Sequence, residues 1–349
     1  MNPSAFNTCM NCCSIFTLSV QFFVLHCVYQ KSSTRIREYK HFLANFLVWD
    51  LVYTILLGFF LSPLTASNLV GLIVQGLSSE FYPKFSGRLT IAALIYAASH
   101  VIGGQNLCLL YRFIVVVCDK SCHYWFISWR AKLLYFFVSQ FVSIALGVFA
   151  YNVFIDPEKI PSQLIAHNVH LPDGFNKIEN IVMSDIQAPI THYFLITLLS
   201  LFAISELISI ILIYLILRKL RQHQCSIQSY RLHVQFTIHL AANLALPGIL
   251  IIVPSAAFAI GALCQEDVTI GVSQLAIFMN AFYATANALL VLLLVQTYRQ
   301  YTFQTLILPW LKLCIPSLTK KNSLHLTAIS YLDNGNSAEA KHRRSLTAV

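Results

Sequence analysis

Apolar positions along this chain fall into long unbroken blocks, separated by short clusters of charge. A bilayer's hydrocarbon core is about 30 Å thick, and a helix rising 1.5 Å per residue crosses it in about 20 residues. Seven windows of that length lie between the charge clusters, at 9–29, 42–64, 89–117, 133–154, 191–217, 236–261 and 273–295. None alternates polar and apolar residues as a barrel strand does. Backbone amides in lipid must be satisfied within the protein, so the windows predict helices. A further apolar patch, NLVGLIVQGL at 68–77, is too short to cross and holds two glycines; it reads as a loop near the outer surface. The expected architecture is an all-α seven-transmembrane helix bundle. Residues 1–8 form an N-terminal segment, 296–314 a juxtamembrane amphipathic segment, and 315–349 a polar tail without helical periodicity, expected to be disordered.

Composition agrees with a lipid solvent. Of 349 residues 57% are hydrophobic and only 11% are charged, with a mean hydropathy of +0.67, too little charge to cover a soluble surface. The charge that exists is sorted. Segments 30–41, 118–132, 218–235 and 296–349 carry four, three, four and seven lysines and arginines, whereas 1–8, 65–88, 155–190 and 262–272 carry none, two, two and none. Short loops rich in basic residues stay cytoplasmic, so the N-terminus is expected outside and the C-terminus inside. The net charge of +9 is therefore a topology signal, and it gives no support to a nucleic-acid partner. The first eight residues lack the positive region of a cleavable signal, so the first span is expected to direct insertion itself.

Polar residues inside the windows mark candidate sites, because a charge at the bilayer centre costs about 2.5–3.5 kcal/mol on insertion scales and is usually turned into the bundle. Asp50 lies eight residues from the inner end of span two, and Asn287 eight from the inner end of span seven; both are about 12 Å deep at helical rise. Asn280 precedes Asn287 by seven residues and shares its face. The three form either a polar or sodium-binding switch between helices two and seven or a hydrogen-bonded pair that only holds the bundle together. Glu206 in span five matches Gln105 and Asn106 in span three by depth, with His100 one to two turns above. These four make the candidate ligand site, open to the outside. A protonated glutamate buried against an amide is the purely structural alternative.

Near the inner face, Arg112 in LCLLYRF is five residues from the end of span three and long enough to snorkel. Pro247 and Pro254 share a face of span six and each removes a ladder hydrogen bond, so this helix is expected to kink. Tyr298 and Arg299 mark the interface after span seven. Cys27, Cys108, Cys118, Cys122, Cys225 and Cys314 are expected to be reduced, with Cys314 placed for acylation. Cys9, Cys12, Cys13 and Cys264 lie toward the outer face, where a bridge from Cys264 to one of the other three is one arrangement. The final Thr347-Ala348-Val349 fits carboxylate capture by a PDZ domain. No metal-ligand spacing such as HExxH occurs, and span seven has no lysine for a retinal Schiff base, so neither an enzyme, a metal nor a cofactor is expected.

The runs TRIREYKHFLANFLVWDL, SPL, SHVIGGQNLCLLYRF and SYRLHVQFTIHLAANLALPGILIIVP, with Tyr298-Arg299, resemble nematode serpentine chemoreceptors of the Str superfamily, classes H and I in particular. The chain departs from their pattern at Thr297, Asn243 and Leu110-Tyr111. The resemblance implies a G-protein-coupled receptor in the plasma membrane of sensory-neuron cilia. Its implied partners are a small-molecule odorant, tastant or pheromone and a heterotrimeric G protein, with Arg112, Tyr298 and Arg299 on the G-protein side. The third span's outer half and the segment 155–190 hold no cysteine, so the disulfide joining those places in rhodopsin-like receptors has no counterpart. The alternative is a ligand-gated channel or transporter with Asp50 and Glu206 on an ion path. Orientation separates these readings from insect-type channels: a tag at Met1 is expected to bind antibody on intact cells, and labelling only after permeabilisation reverses the topology.

Overall fold

The computed structural model of the protein describes residues 3–31, 38–64, 71–81, 86–166, 180–185, 188–222, 227–254 and 270–309. Helix α1 spans Pro3–Lys31, and α2 spans Tyr39–Ile55 and runs on through a π turn, Leu56–Leu61. Strands β1 (Pro63–Leu64) and β2 (Gly71–Val74) and the short α3 (Ser78–Phe81) lead to α4, Ser86–Val117. Then come α5 (Lys120–Ile127), α6 (Trp129–Val153), α7 (Ile160–Ala166), β3 (Ile181–Met183) and α8 (Pro189–Gln222). Helix α9 (Ile227–Pro247) continues as a π turn, Gly248–Ile252, and is followed by α10 (Ile270–Leu294) and α11 (Gln296–Thr302). Six of these helices, α1, α2, α4, α6, α8 and α10, are long and apolar enough to cross a membrane, and α9 carries a shorter apolar stretch, Thr237–Ile251. The bundle unit ends at Tyr298; from Arg299 the chain forms a second unit. The tail 315–349 with Val349, the end of span six past Pro254, and Cys225, Cys264 and Cys314 lie outside the described residues.

Helix ends overrun the apolar windows. Helix α1 starts at Pro3 and α8 ends at Gln222, because polar residues beyond the hydrocarbon can still continue the backbone ladder. Hydropathy marks where a helix is in lipid, not where it stops. In the sixth span Pro247 does what a residue without an amide hydrogen must: the α ladder gives way directly after it to the π turn.

Helix α4 is the hub. It packs on α2, α6, α8 and α9, while α1 fills the space between α2 and α10. Of the apolar window in α4, 56% of residues are buried, against 6% in α8. The exposed side chains of α6 and α8, among them Phe141, Ile196 and Leu207, form the apolar outer surface that a lipid tail would cover. Close approach at the hub depends on small residues. A Cβ added to Gly104 would stand 3.1 Å from the Phe46 Cα, and one added to Gly58 would meet the Ser14 Oγ at 2.0 Å.

A small sheet caps the face at which α1 begins, here termed the amino-end face. The patch 68–77, expected to be a plain loop, supplies its middle strand. β2 pairs antiparallel with β1 (Pro63↔Val74, Leu64↔Ile73) and with β3 (Gly71↔Met183, Leu72↔Val182, Ile73↔Ile181). The partner β3 is more than a hundred residues away, so local sequence gave no sign of the pairing. Leu64, Ile73, Val74, Ile181, Val182 and Met183 are all buried. Ser62 explains how α2 enters this sheet: its backbone adopts a left-handed φ of 37°, its amide donates to the Leu57 carbonyl, and its hydroxyl donates to Asn7 Oδ1 at 2.6 Å on α1. Pro63 then sits at the start of an edge strand, where its missing amide hydrogen is tolerated.

The α1–α2 contact can be tested by overpacking. Gly58→Val is expected to destabilise the detergent-solubilised protein by about 1–3 kcal/mol in unfolding measurements. Gly248→Ala is expected to leave it nearly unchanged, since a Cβ there meets nothing within 4 Å among the described residues.

Candidate functional site

Three helices bring polar residues to the middle of the bundle. Asp50 on α2 is fully buried, and Asn287 on α10, also fully buried, donates from Nδ2 to Asp50 Oδ2 at 2.9 Å. Gln21 on α1 is 1% exposed and lies beside Asp50. One turn along α1, the Thr17 hydroxyl bonds with that of Thr285 on α10. One turn along α2, the Tyr53 hydroxyl donates to Asn280 Oδ1 at 2.7 Å. The helical period explains the pairs 50/53, 17/21 and 280/287, which are three, four and seven apart and share a face, whereas Thr285, two residues from Asn287, meets Thr17 from a different side of α10. Asp50 Oδ1, Asn287 Oδ1 and both amide atoms of Gln21 have no hydrogen-bond partner of good geometry among the described residues. No basic side chain pairs with Asp50 among them either. A carboxylate enclosed this way is stable when a proton or a small cation neutralises it, and the free oxygens around it are acceptors suited to water or a cation.

A second polar seam joins α4 to α8. Asn106 Nδ2 donates to Ser205 Oγ at 2.7 Å, and Ser209 Oγ donates to Asn106 Oδ1 at 2.8 Å. The two serines are four apart on α8, so one amide bridges both. Glu206 is next to Ser205 and half-buried, and Gln105 is buried with its Nε2 unpartnered among the described residues. His100 does not join them. Six residues along a helix is a rotation of about 600°, which turns His100 about 120° away from Asn106. It stacks on Trp49 of α2 at 4.1 Å between ring centroids, meets the Tyr96 ring edge-on, and lies 3.0 Å by Nδ1 from Ser139 Oγ of α6. His100, one to two turns above the other three by sequence, faces α2 and α6 instead.

The opposite face, where α4 ends, holds Arg112. It is 6% exposed, and its guanidinium carbon stands 4.3 Å over the ring of Tyr39, which opens α2. Next to it in sequence, Tyr111 donates from Oη to Glu38 at 3.2 Å, and His123 Nε2 lies 3.4 Å from the same carboxylate. The ring face of Tyr39 is thus one seat of the cation. His239 and Asn243 of α9 are buried 3.3 Å apart, Nε2 to Nδ2, with His239 in electrostatic reach of Arg112. Tyr298, 1% exposed, closes the bundle unit; Arg299, the first residue of the second unit, is exposed.

Several of these residues escape a reading by charge. Gln21 was visible as a lone amide in an apolar span. Ser205 and Ser209 carried only the i, i+4 spacing. Tyr39 and Trp49 had no mark at all, since aromatics at the ends and in the middle of spans are commonplace.

Compared with known proteins, residues 1–308 match the model of the family described as Serpentine type 7TM GPCR chemoreceptor Srh. Among solved structures the chain is similar to squid rhodopsin, with a TM-score of 0.58 over 90% of this chain and 88% of that one, at 12% sequence identity. That likeness carries the fold. A search of the curated proteins gives no match.

The mid-bundle pairing predicts coupled energetics. Asn287→Leu and Asp50→Leu are each expected to destabilise the protein. The double variant is expected to lose less than the two separate losses combined, by about 0.5–2 kcal/mol, in a double-mutant cycle on unfolding. Strict additivity would show that the bond contributes nothing.

Proposed function

Since the chain belongs to the Srh family of serpentine seven-transmembrane chemoreceptors, we propose that it detects a small odorant, tastant or pheromone at the outer face of the sensory-neuron plasma membrane, in cilia, and signals to a heterotrimeric G protein within. The amino-end face is the outer one in this reading, as the sorting of basic residues implies. The observation that carries it is Arg112: a buried cation at the inner end of the hub helix, resting over the ring face of Tyr39. A cation–π contact of this kind is worth about 0.5–2 kcal/mol, strong enough to bias a resting state and weak enough to be exchanged for a partner's acceptors.

The ligand binds between α4 and α8, where Asn106, Ser205 and Ser209 offer donors and acceptors beside Glu206 and Gln105. It shifts the equilibrium only to the extent that it binds one state better than the other. The π turn after Pro247 gives α9 a place to bend, and His239, buried near Arg112, moves with the inner part of that helix. Outward motion of α9 uncovers Arg112 to the G protein. Asp50, Asn280 and Asn287, with Gln21, act as the polar switch between α2 and α10, since groups left without partners in one packing gain from rearranging to another.

Heterologous cells screened with volatile and water-soluble cues test this reading. A cue-evoked calcium rise is expected to vanish with a G-protein inhibitor, and Arg112→Leu is expected to reduce it at least about tenfold at equal surface expression. A response that survives the inhibitor would instead indicate a channel.

A further inference from the structure

The sheet on the amino-end face is longer than its three strands. Phe154 bridges Ser184, and the Ile155 amide donates to the Met183 carbonyl at 2.9 Å, so the chain leaving α6 continues the ladder on the far side of β3. Asp156 follows at once. It receives Nη1 of Arg88 at 2.8 Å, from the first turn of α4. The same guanidinium donates from Nη2 to the Tyr151 carbonyl at 3.1 Å, and its carbon stands 4.6 Å over the Tyr151 ring, both at the end of α6. Its Nε has no partner among the described residues. Beside it, a Cβ on Gly87 would come 2.3 Å from Val182 Cγ2, so α4 touches β3 itself. One arginine therefore joins the hub helix, the end of α6 and the sheet. No cysteine lies in residues 86–107 or 155–190, so no disulfide can make this tie.

The two halves of the contact are unequal. The Arg88 side chain is only 10% exposed and is committed to Tyr151 by both a hydrogen bond and a ring face, whereas the Asp156 side chain is 62% exposed. Water and salt compete for the aspartate and not for the arginine's seat. When Asp156 lets go, Arg88 keeps its place on α6 and the guanidinium is not left wholly unpaired. The α4–α6 joint thus stays closed while the segment 154–156 with β3 is released.

We propose that Arg88 and Asp156 form a reversible catch for the β1–β3 sheet, which acts as a lid: Arg88 with Tyr151 is the fixed half, and Asp156 the releasable half that frees the lid without opening the bundle. That the lid admits the ligand rests on the receptor reading above; the catch itself does not. The test needs neither ligand nor G protein, so its failure is separable from failure of that reading. Hydrogen exchange is followed by mass spectrometry on the full-length protein in nanodiscs. Asp156→Asn, at an exposed position that should not impair folding, is expected to speed exchange of the Ile155 and 181–183 amides about tenfold while α4 and α6 keep wild-type protection. Raising sodium chloride from about 0.05 to 1 M is expected to loosen the same amides in the wild type but not in Asp156→Asn. Arg88→Gln, which removes both halves, is expected to expose the adjoining ends of α4 and α6 as well. Unchanged exchange in Asp156→Asn, a uniform rise across all helices, or the same salt response in wild type and variant would overturn the proposal.

Discussion

Hydrocarbon offers no hydrogen-bond partner, and that single constraint organises most of this structure. The described helices satisfy most of their amides within their own ladders, so the polar side chains that the sequence carries into the bilayer look to one another or to a neighbouring turn's carbonyl. Several do so at helix interfaces, while Ser14, Ser19 and Thr54 bond back to carbonyls of their own helices. Asp50 meets Asn287, Tyr53 meets Asn280, Thr17 meets Thr285, and Asn106 bridges Ser205 and Ser209. Each pair joins two different helices, so the bonds that satisfy buried groups also fix which helices are neighbours. Apolar packing alone would not choose, because lipid tails are as apolar as the leucines they would replace.

The hub position of α4 follows from the same reasoning. Its face toward α2 has the small residue Gly104, which lets Phe46 approach closely, and the aromatic stack of Trp49 on His100. Toward α6 it offers Ser99, bonded to Ser143 at 2.6 Å, and Tyr96, whose hydroxyl donates to Gln140 Oε1 at 2.6 Å. Toward α8 it offers Asn106. A helix enclosed on three sides cannot tilt without breaking several such contacts. Helix α9, interrupted after Pro247, has fewer constraints on its backbone, and motion is assigned to it for that reason.

The legible part of this protein was the part that depends on one helix at a time. Length and hydropathy marked the six helices long and apolar enough to cross a membrane, and depth alone put Asp50 level with Asn287. Height misled for His100, because residues one to two turns apart share a face only at particular spacings, and the rotation between positions 100 and 106 turns them to different neighbours. Other pairings across long sequence separation were invisible: β2 with β3, Arg88 with Asp156, Arg112 with Tyr39. In each, at least one member is a residue type that is ordinary where it stands. A tyrosine at the start of a span looks like an interfacial anchor until an arginine is found above its ring.

Two arginines on α4 show how the same side chain is held differently at the two ends of one helix. Arg88 has a carboxylate partner in contact with water, so its pairing is weak by screening and easily exchanged on the solvent side. Arg112 rests on an aromatic face away from water, where screening does little and exchange requires neighbouring helices to move. The first arrangement responds to what arrives in solution, and the second to how the bundle is packed. A rigid hub with a solvent-sensitive contact at one end and a packing-sensitive contact at the other does not itself need to bend for the two ends to be coupled: α2, α6 and α9 lean on it, and a change in their packing is felt at both.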